Sequence, residues 1–445
     1  MKERENFTGK FGFVISCVGA ALGLGNIWLF SYRLGQYGGA AFLIPYFLFV
    51  FILGTTGLIT EFSFGRKFKA GSYTGIVESF KSKSLKGGKF FGMLPPIGLT
   101  GVFIFYSIVI GWILKYFFLS LTGSINTIDT TTYFSNFAGT PNTIFWFALA
   151  IILTLIVVCL GIGRGIEKLN KIIMPLLLLI FIILIIRSLT LPGSFEGVKY
   201  LLVPRWENLF KIDTWVMALG QAFFTVSLNG CGMVVYGSYI NDKFDIPSSA
   251  IQTAIFDTLA ALLASLMIMP AVFAYGLNPS SGPSLLFITL PKIFQGMNFG
   301  ALLSTLFFLS VIFAAISSSV NMLEGPVEAF MAHFKSNRIK TSIIISVLCF
   351  LCGIPLSLNM GIFDNFSNLI TIIISPLCAL LVAVVFYYII GGENVLIEVN
   401  KGAHKKLGKW FIPLGKYIFI LVTILVIILG AVSYTHLTLP TICSV

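Results

Sequence analysis

Four carboxylates stand inside long apolar runs of this chain: Glu61 in EFSFGR, Asp257 in IQTAIFDTLAALL, and Glu324 and Glu328 in SSSVNMLEGPVEAF. An ionisable group in such surroundings is costly and faces a partner or a cavity. Two further stretches carry small and polar residues where leucine would be ordinary. GAALGLGN (19–26) holds three glycines and Asn26, and GQAFFTVSLNGCG (220–232) holds Thr225, Ser227, Asn229 and further glycines. Each glycine costs about 0.8–1.0 kcal/mol against alanine in a helix interior, so the pattern calls for a role at the backbone itself. Carbonyls, hydroxyls, a carboxamide and a carboxylate are hard oxygen donors, suited to a hard cation and to the charged ends of a zwitterion. No HExxH and no GxxxxGK[ST] is present, and no matched acid–base or nucleophile pair stands in the apolar runs. A zinc protease, an ATP-driven pump and an intramembrane enzyme therefore lack their basic equipment, and we read the chain as not an enzyme.

The elements that position these residues must cross a membrane. The chain has 445 residues, of which 57% are hydrophobic and 10% charged, and its mean hydropathy is +0.96. Continuous runs such as IIMPLLLLIFIILIIR (172–187) exclude a transmembrane barrel, whose strands alternate in segments of about 10 residues. The expectation is an all-α, polytopic membrane protein with eleven spans, near 10–36, 39–65, 90–121, 142–161, 166–190, 213–240, 249–276, 299–330, 341–357, 364–390 and 411–432. The loop 66–89 carries seven Lys and Arg against Glu78, and the segments 164–171, 335–340 and 401–409 are also basic. All fall on one side, which the positive-inside rule makes cytoplasmic. The amino terminus is then inside and the carboxyl terminus outside a cell membrane. The net charge of +12 reads as topology and not as a nucleic-acid footprint. Seven scattered cysteines form no metal or redox pattern.

Spans one and six occupy the same place in two successive five-helix units, 10–190 and 213–390, within one transporter domain, 1–432. Glycine-interrupted segments at matching positions point to an inverted-repeat transporter with its site at the bilayer midplane. Unwinding frees backbone groups that hydrocarbon cannot satisfy and a bound ion or zwitterion can. The tail 433–445, SYTHLTLPTICSV, changes composition and reads as foreign to the domain.

GAALGLGNIW, YGGAAFLIPY (37–46), EFSFGR (61–66), GQAFFTVSL and FAAISSSVNMLE (313–324) together resemble the neurotransmitter:sodium symporter family, with the leucine-transporter fold. The resemblance implies sodium-coupled symport of an amino acid by alternating access, with two sodium sites. The first would use the Ala21 carbonyl, Asn26, Thr225 and Asp257; the second the carbonyls of Gly19, Leu22 and Ala314 with the hydroxyls of Ser317 and Ser318. The substrate carboxylate would meet the Leu24 and Gly25 amides and the Tyr106 hydroxyl, and its amino group the carbonyls of Ala21, Phe224 and Thr225 with Ser227. Its side chain would meet Val102, Tyr106, Phe224, Ser227, Gly230, Ser318 and Met322. Asp257 supplies the negative charge that some members take from chloride, so chloride is expected to be dispensable. Gly230 and the adaptable Met322 imply a roomy pocket, and no further charge points into it, so a large apolar or aromatic L-amino acid is expected.

The departures concern the gates. Leu29 and Ser367 replace the Arg and Asp that normally close the outer gate, but Arg33 and Asp364 each lie one turn further out, which makes a displaced ion pair the expectation. On the inner side Arg4 and Tyr239 match gate residues, while Ala332 replaces the acid at the end of span eight. Gly165 and Pro175 in GIEKLNKIIMP resemble a motif at which span five unwinds in some bacterial relatives. A channel or a non-transporting amino-acid receptor of the same fold is the alternative reading.

Overall fold

The structure, a computed structural model, describes residues 6–279 and 285–438, the last six of these by backbone alone. Among the described residues all regular structure is helical. Nine helices are long and apolar enough to cross a membrane: Ala40–Phe68, Gly88–Leu121, Asn142–Cys159, Ile162–Leu189, Ile246–Ala274, Gly300–Phe334, Arg338–Leu358, Met360–Asn400 and Phe411–Val432. A tenth span is made by Lys10–Ala21 and Gly25–Gln36, which meet at 56°. The remaining expected span is interrupted more widely, as Ile212–Thr225 and Gly232–Ser238. Broken first and sixth spans thus stand where the glycines placed them.

The packing has a two-fold pattern. The first span lies on the seventh and the sixth on the second; the third lies on the tenth and the eighth on the fifth; the third and eighth pack along each other. Exchanging the two five-helix units maps each contact onto another, as inverted repeats require. Long apolar faces of the fourth, fifth and ninth spans stay exposed, with Ile156, Leu179, Ile186, Leu348 and Leu351 among them, as lipid-facing surfaces do. The tenth span runs past its expected end at residue 390 but is broken at Gly391 (φ 93°), beyond which Gly392–Asn400 forms a separate short helix. Residues 439–445 of the tail lie outside the described residues, and 433–438 extend the last helix.

One residue of the basic rim behaves differently from its sequence reading. Arg66 is buried (1% exposed). Its Nε lies 2.8 Å from Glu398 Oε1, and it also donates to the carbonyls of Phe244, Lys401 and Glu398. A guanidinium with its donors this fully used ties three segments of the chain together rather than facing solvent.

Candidate functional site at the two helix breaks

At the first break each freed backbone group can be followed to its new partner. The Gly23 amide donates to Asn26 Oδ1 (3.0 Å) instead of to Gly19, and the Leu24 amide to the Tyr106 hydroxyl (3.1 Å) instead of to Ala20. The Asn26 amide turns to the Gly23 carbonyl (3.1 Å). The carbonyls released in this way point inward. Those of Gly19 and Leu22 face Ser318 Oγ at 3.3 and 3.1 Å, and that of Ala20 takes the Ser227 hydroxyl at 3.1 Å. The glycines have local reasons. A Cβ on Gly23 would overlap Tyr106 and Ser318, and one on Gly25 would overlap the Phe224 ring.

At the sixth-span break the freed amides are taken by side chains. Gly230 donates to Glu61 Oε1 (2.9 Å), while Cys231 and Gly232 donate to Asn229 Oδ1 (3.0 and 2.9 Å). Ser227 and Gly230 adopt φ of 57° and 70°. A Cβ on Gly230 would overlap the Cys378 carbonyl, so this glycine serves a left-handed turn and a close backbone approach. The turn and the close approach account for a glycine here, and Gly230 is not on the wall of the cavity described below.

Three of the four residues expected at the first sodium site meet in one buried cluster. Asn26 Nδ2 lies 2.7 Å from Asp257 Oδ1, 3.2 Å from the Asp257 carbonyl and 3.0 Å from Thr225 Oγ1, and Thr225 donates to Asp257 Oδ2 at 2.8 Å. Three oxygens of Thr225 and Asp257 face the Asn26 amide nitrogen, while its Oδ1 takes the Gly23 amide; for Asn26 to join a hard cation here its carboxamide must turn to present the oxygen. Ala21, the fourth, is the last residue of the helix before the break. At the second site Gly19, Leu22 and Ser318 converge, and Ser317 on the same eighth-span helix donates to Asn170 of the fifth span. Ala314 lies fully buried one turn before Ser318.

Between the breaks and one face of the molecule lies a cavity of about 590 Å³. Of the expected substrate residues Leu24, Gly25, Tyr106 and Phe224 line it, together with Trp28, Phe105 and Val109. Ala21, Val102, Thr225, Ser227, Gly230, Ser318 and Met322 are not on its wall; Ser227 and Ser318 are turned to backbone carbonyls of the first span. Arg33 and Asp364 stand on the wall without forming the expected ion pair. Arg33 donates instead to Gln221 Oε1 (3.0 Å), whose Nε2 donates to the Gly25 carbonyl (3.0 Å), which also takes the Phe30 amide. The physical reason is the open cavity, which both side chains border.

The opposite face is closed. The Tyr239 hydroxyl and Arg338 both reach the buried Glu324, each at 2.6 Å, and the Phe7 amide donates to the Tyr239 carbonyl. Glu328 takes the Gly71 amide at 3.0 Å. Arg4 lies outside the described residues. In the adjoining loop the Lys69 ammonium, bonded to Asp242 at 3.0 Å, holds that carboxyl below its usual range. Span five is continuously helical from Gly165 through Pro175, with a wide turn over Ile162–Glu167 where the Gly165 and Ile166 amides share the Gly161 carbonyl. The expected unwinding is not present in this structure.

Gln221, Asn229, Asn170 and Arg338 were not singled out for these roles from sequence. Gln221 precedes Thr225 by one turn, and Asn170 stands midway between Gly165 and Pro175, which is the signal each offered.

Comparison with known proteins bears on these breaks. The model of the sodium:neurotransmitter symporter family matches residues 4–136 and 134–441, the latter reaching into the tail read as foreign. An uncharacterized sodium-dependent transporter of Bacillus subtilis is 35% identical over 441 residues, covering 95% of this chain and 96% of the relative. Another, from Methanocaldococcus jannaschii, is 29% identical over 431 residues, covering 92% and 87%. Among solved structures, that of MhsT in complex with L-phenylalanine superposes with a TM-score of 0.86 at 35% identity, covering 96% of this chain and all of that one. Breaks whose freed carbonyls meet hydroxyls and whose freed amides meet carboxamides and a carboxylate, in a chain matched along nearly its whole length, make this protein a member of the sodium:neurotransmitter symporter family, a sodium-dependent transporter of the multi-pass membrane type.

Proposed function

We propose that the protein imports a large apolar or aromatic L-amino acid together with two sodium ions by alternating access. The observation that carries this is the first break, where displaced hydrogen bonds turn the Gly19 and Leu22 carbonyls to Ser318, set Asn26 against Thr225 and Asp257, and bring the Leu24 amide to the Tyr106 hydroxyl. Asn26, Thr225, Asp257 and the Ala21 carbonyl would hold one ion; Gly19, Leu22, Ala314, Ser317 and Ser318 the other. All the donors are oxygen, as sodium prefers. The substrate carboxylate would take the Tyr106 hydroxyl and the Leu24 and Gly25 amides, displacing the present bond from the Leu24 amide to Tyr106; all three residues line the cavity.

The side chain would lie toward Phe224 and the aromatic lining of the cavity, a setting that leaves a charged side chain unpaired at a cost of several kcal/mol. L-phenylalanine in the similar MhsT structure supports that choice. Asp257 supplies the counter-charge, so transport is independent of chloride. With the basic loops inside, the cavity opens outward and the Tyr239–Glu324–Arg338 cluster closes the cytoplasmic side. Arg33 and Asp364 would meet only when the cavity closes over substrate. Units 10–190 and 213–390 would form the inverted repeats of one domain ending at 432.

The test is a binding screen of the twenty amino acids on purified protein in detergent, with sodium chloride, with sodium gluconate and with choline chloride. Saturable, sodium-dependent binding confined to bulky apolar side chains is expected in both sodium salts. Binding in choline, or binding that needs chloride, refutes the corresponding part of the proposal. Binding without transport would favour the receptor alternative.

A further inference from the structure

The fifth span places one side chain at the second ion cluster that the family reading did not assign. Asn170 is fully buried, and its Nδ2 donates to the Ile166 carbonyl at 2.8 Å, one turn back in its own helix. Its Oδ1 accepts the Ser317 hydroxyl. A Cβ on Gly19 would overlap both Asn170 Oδ1 and Ser317 Oγ, so the absence of a side chain at 19 is what admits the carboxamide to the first span. Three helices therefore meet at one hydrogen bond.

We propose that Asn170 is a positioning residue for the second sodium ion; this rests on the two-sodium reading above. A serine hydroxyl has one proton and two lone pairs. With its proton committed to Asn170, Ser317 turns its lone pairs toward the space bounded by the Gly19 and Leu22 carbonyls. Without that acceptor the proton is free to seek those same carbonyls, and the oxygen then opposes the ion instead of binding it.

The carboxamide is itself anchored within the segment from the wide turn at Ile162–Glu167 to Pro175, which lacks an amide proton. The same segment grips the first span a second time. Glu167, 1% exposed, accepts the Thr8 amide at 2.9 Å and the Thr8 hydroxyl, and Gly12 has no room for a Cβ against it. Opening this turn would withdraw Asn170 from Ser317 and Glu167 from Thr8 together. Sodium at the second cluster and closure of the inner half of the first span are thereby held by one stretch of helix.

The experiment is thermal unfolding of the whole protein in detergent, titrated with sodium chloride against choline chloride at constant ionic strength, for wild type, Asn170→Ala and Asn170→Asp. A ligand that binds only the folded state raises its stability by RT ln(1 + [L]/Kd), so the sodium dependence gives an apparent dissociation constant, the sodium midpoint. Asn170→Ala is expected to move the sodium midpoint up about three- to tenfold, the range of one net hydrogen bond. Asn170→Asp keeps an acceptor and adds charge, so its midpoint returns to or falls below the wild-type value.

A merely structural Asn170 would lower the unfolding temperature of Asn170→Ala in choline and leave the sodium midpoint in place, and that result overturns the proposal. Should Asn170→Ala fail to fold, Ser317→Ala alone and with Asn170→Asp carries the test. The aspartate must lose its tightening in the Ser317→Ala background, and a tightening that persists there refutes the assignment. A wild type without any sodium response overturns the two-sodium reading and this assignment with it; a responsive wild type with an unshifted Asn170→Ala overturns the assignment alone.

Discussion

Replacing Asp257 by asparagine separates charge from hydrogen bonding at the first ion cluster. Asp257 is fully buried, with Oδ1 2.7 Å from Asn26 Nδ2 and Oδ2 2.8 Å from Thr225 Oγ1. Asparagine keeps one oxygen for the ion and loses the negative charge. Two unit charges about 4 Å apart attract by about 4 kcal/mol at an effective dielectric constant of about 20. Part of that is offset because sodium no longer has to stabilise a buried carboxylate. The net loss is then between about 1.4 and 4 kcal/mol, or about tenfold to about a thousandfold in sodium affinity.

The sign of the stability change is the sharper prediction. Without sodium, wild type holds an uncompensated carboxylate in a dry site, so Asp257→Asn is expected to be no less stable in choline while its stabilisation by sodium falls. Chloride is expected to recover part of the mutant's sodium response, because an anion can restore the missing charge. Thermal unfolding in sodium chloride, sodium gluconate and choline chloride reads all three effects. A mutant that is destabilised in choline yet keeps wild-type sodium dependence would show that Asp257 is only a hydrogen-bonding partner of Asn26 and Thr225, and would refute the reasoning.

Three other outcomes follow from the geometry. Arg33→Ala and Asp364→Ala are each expected to speed substrate release several-fold in a dissociation assay, with the double variant no worse than either single; additive effects would mean the two never meet. Gly230→Ala forces a Cβ into a left-handed turn against the Cys378 carbonyl and is expected to cost about 1 kcal/mol or more of stability, with unchanged preference among amino-acid side chains; a shift in substrate size preference would return Gly230 to the pocket. Pro175→Ala restores an amide to the fifth span and is expected to slow turnover in proteoliposomes more than it weakens substrate binding, and normal turnover would count against an opening turn there.

What could be read from the sequence was what one residue announces by being out of place. Glycines and Asn26 in a hydrocarbon run announced the first break, Thr225 and Asn229 the second, and Asp257 a buried carboxylate with partners. Their partners across the fold were not legible, because a hydrogen bond between distant helices leaves no local pattern. Asn170 looks like any polar residue near the end of a span until Gly19 and Ser317 are seen against it. Arg66 belonged to a basic loop by charge counting and is buried against Glu398, more than three hundred positions away. Gly230 was legible as a special position, but whether a glycine makes room or makes a turn depends on φ and on what lies opposite. The displaced pair of Arg33 and Asp364 was a statement about two helix faces, and it is the open cavity that keeps the two side chains from being tested against each other in this conformation.

The central claim is that oxygens released at two helix breaks couple amino-acid movement to sodium. Uptake of radiolabelled L-phenylalanine into proteoliposomes under an inward sodium gradient tests it most directly. The account predicts saturable accumulation above the external concentration that collapses when a sodium ionophore is added and persists when gluconate replaces chloride. Equal uptake with choline in place of sodium, or a flux that rises without saturating, would contradict it.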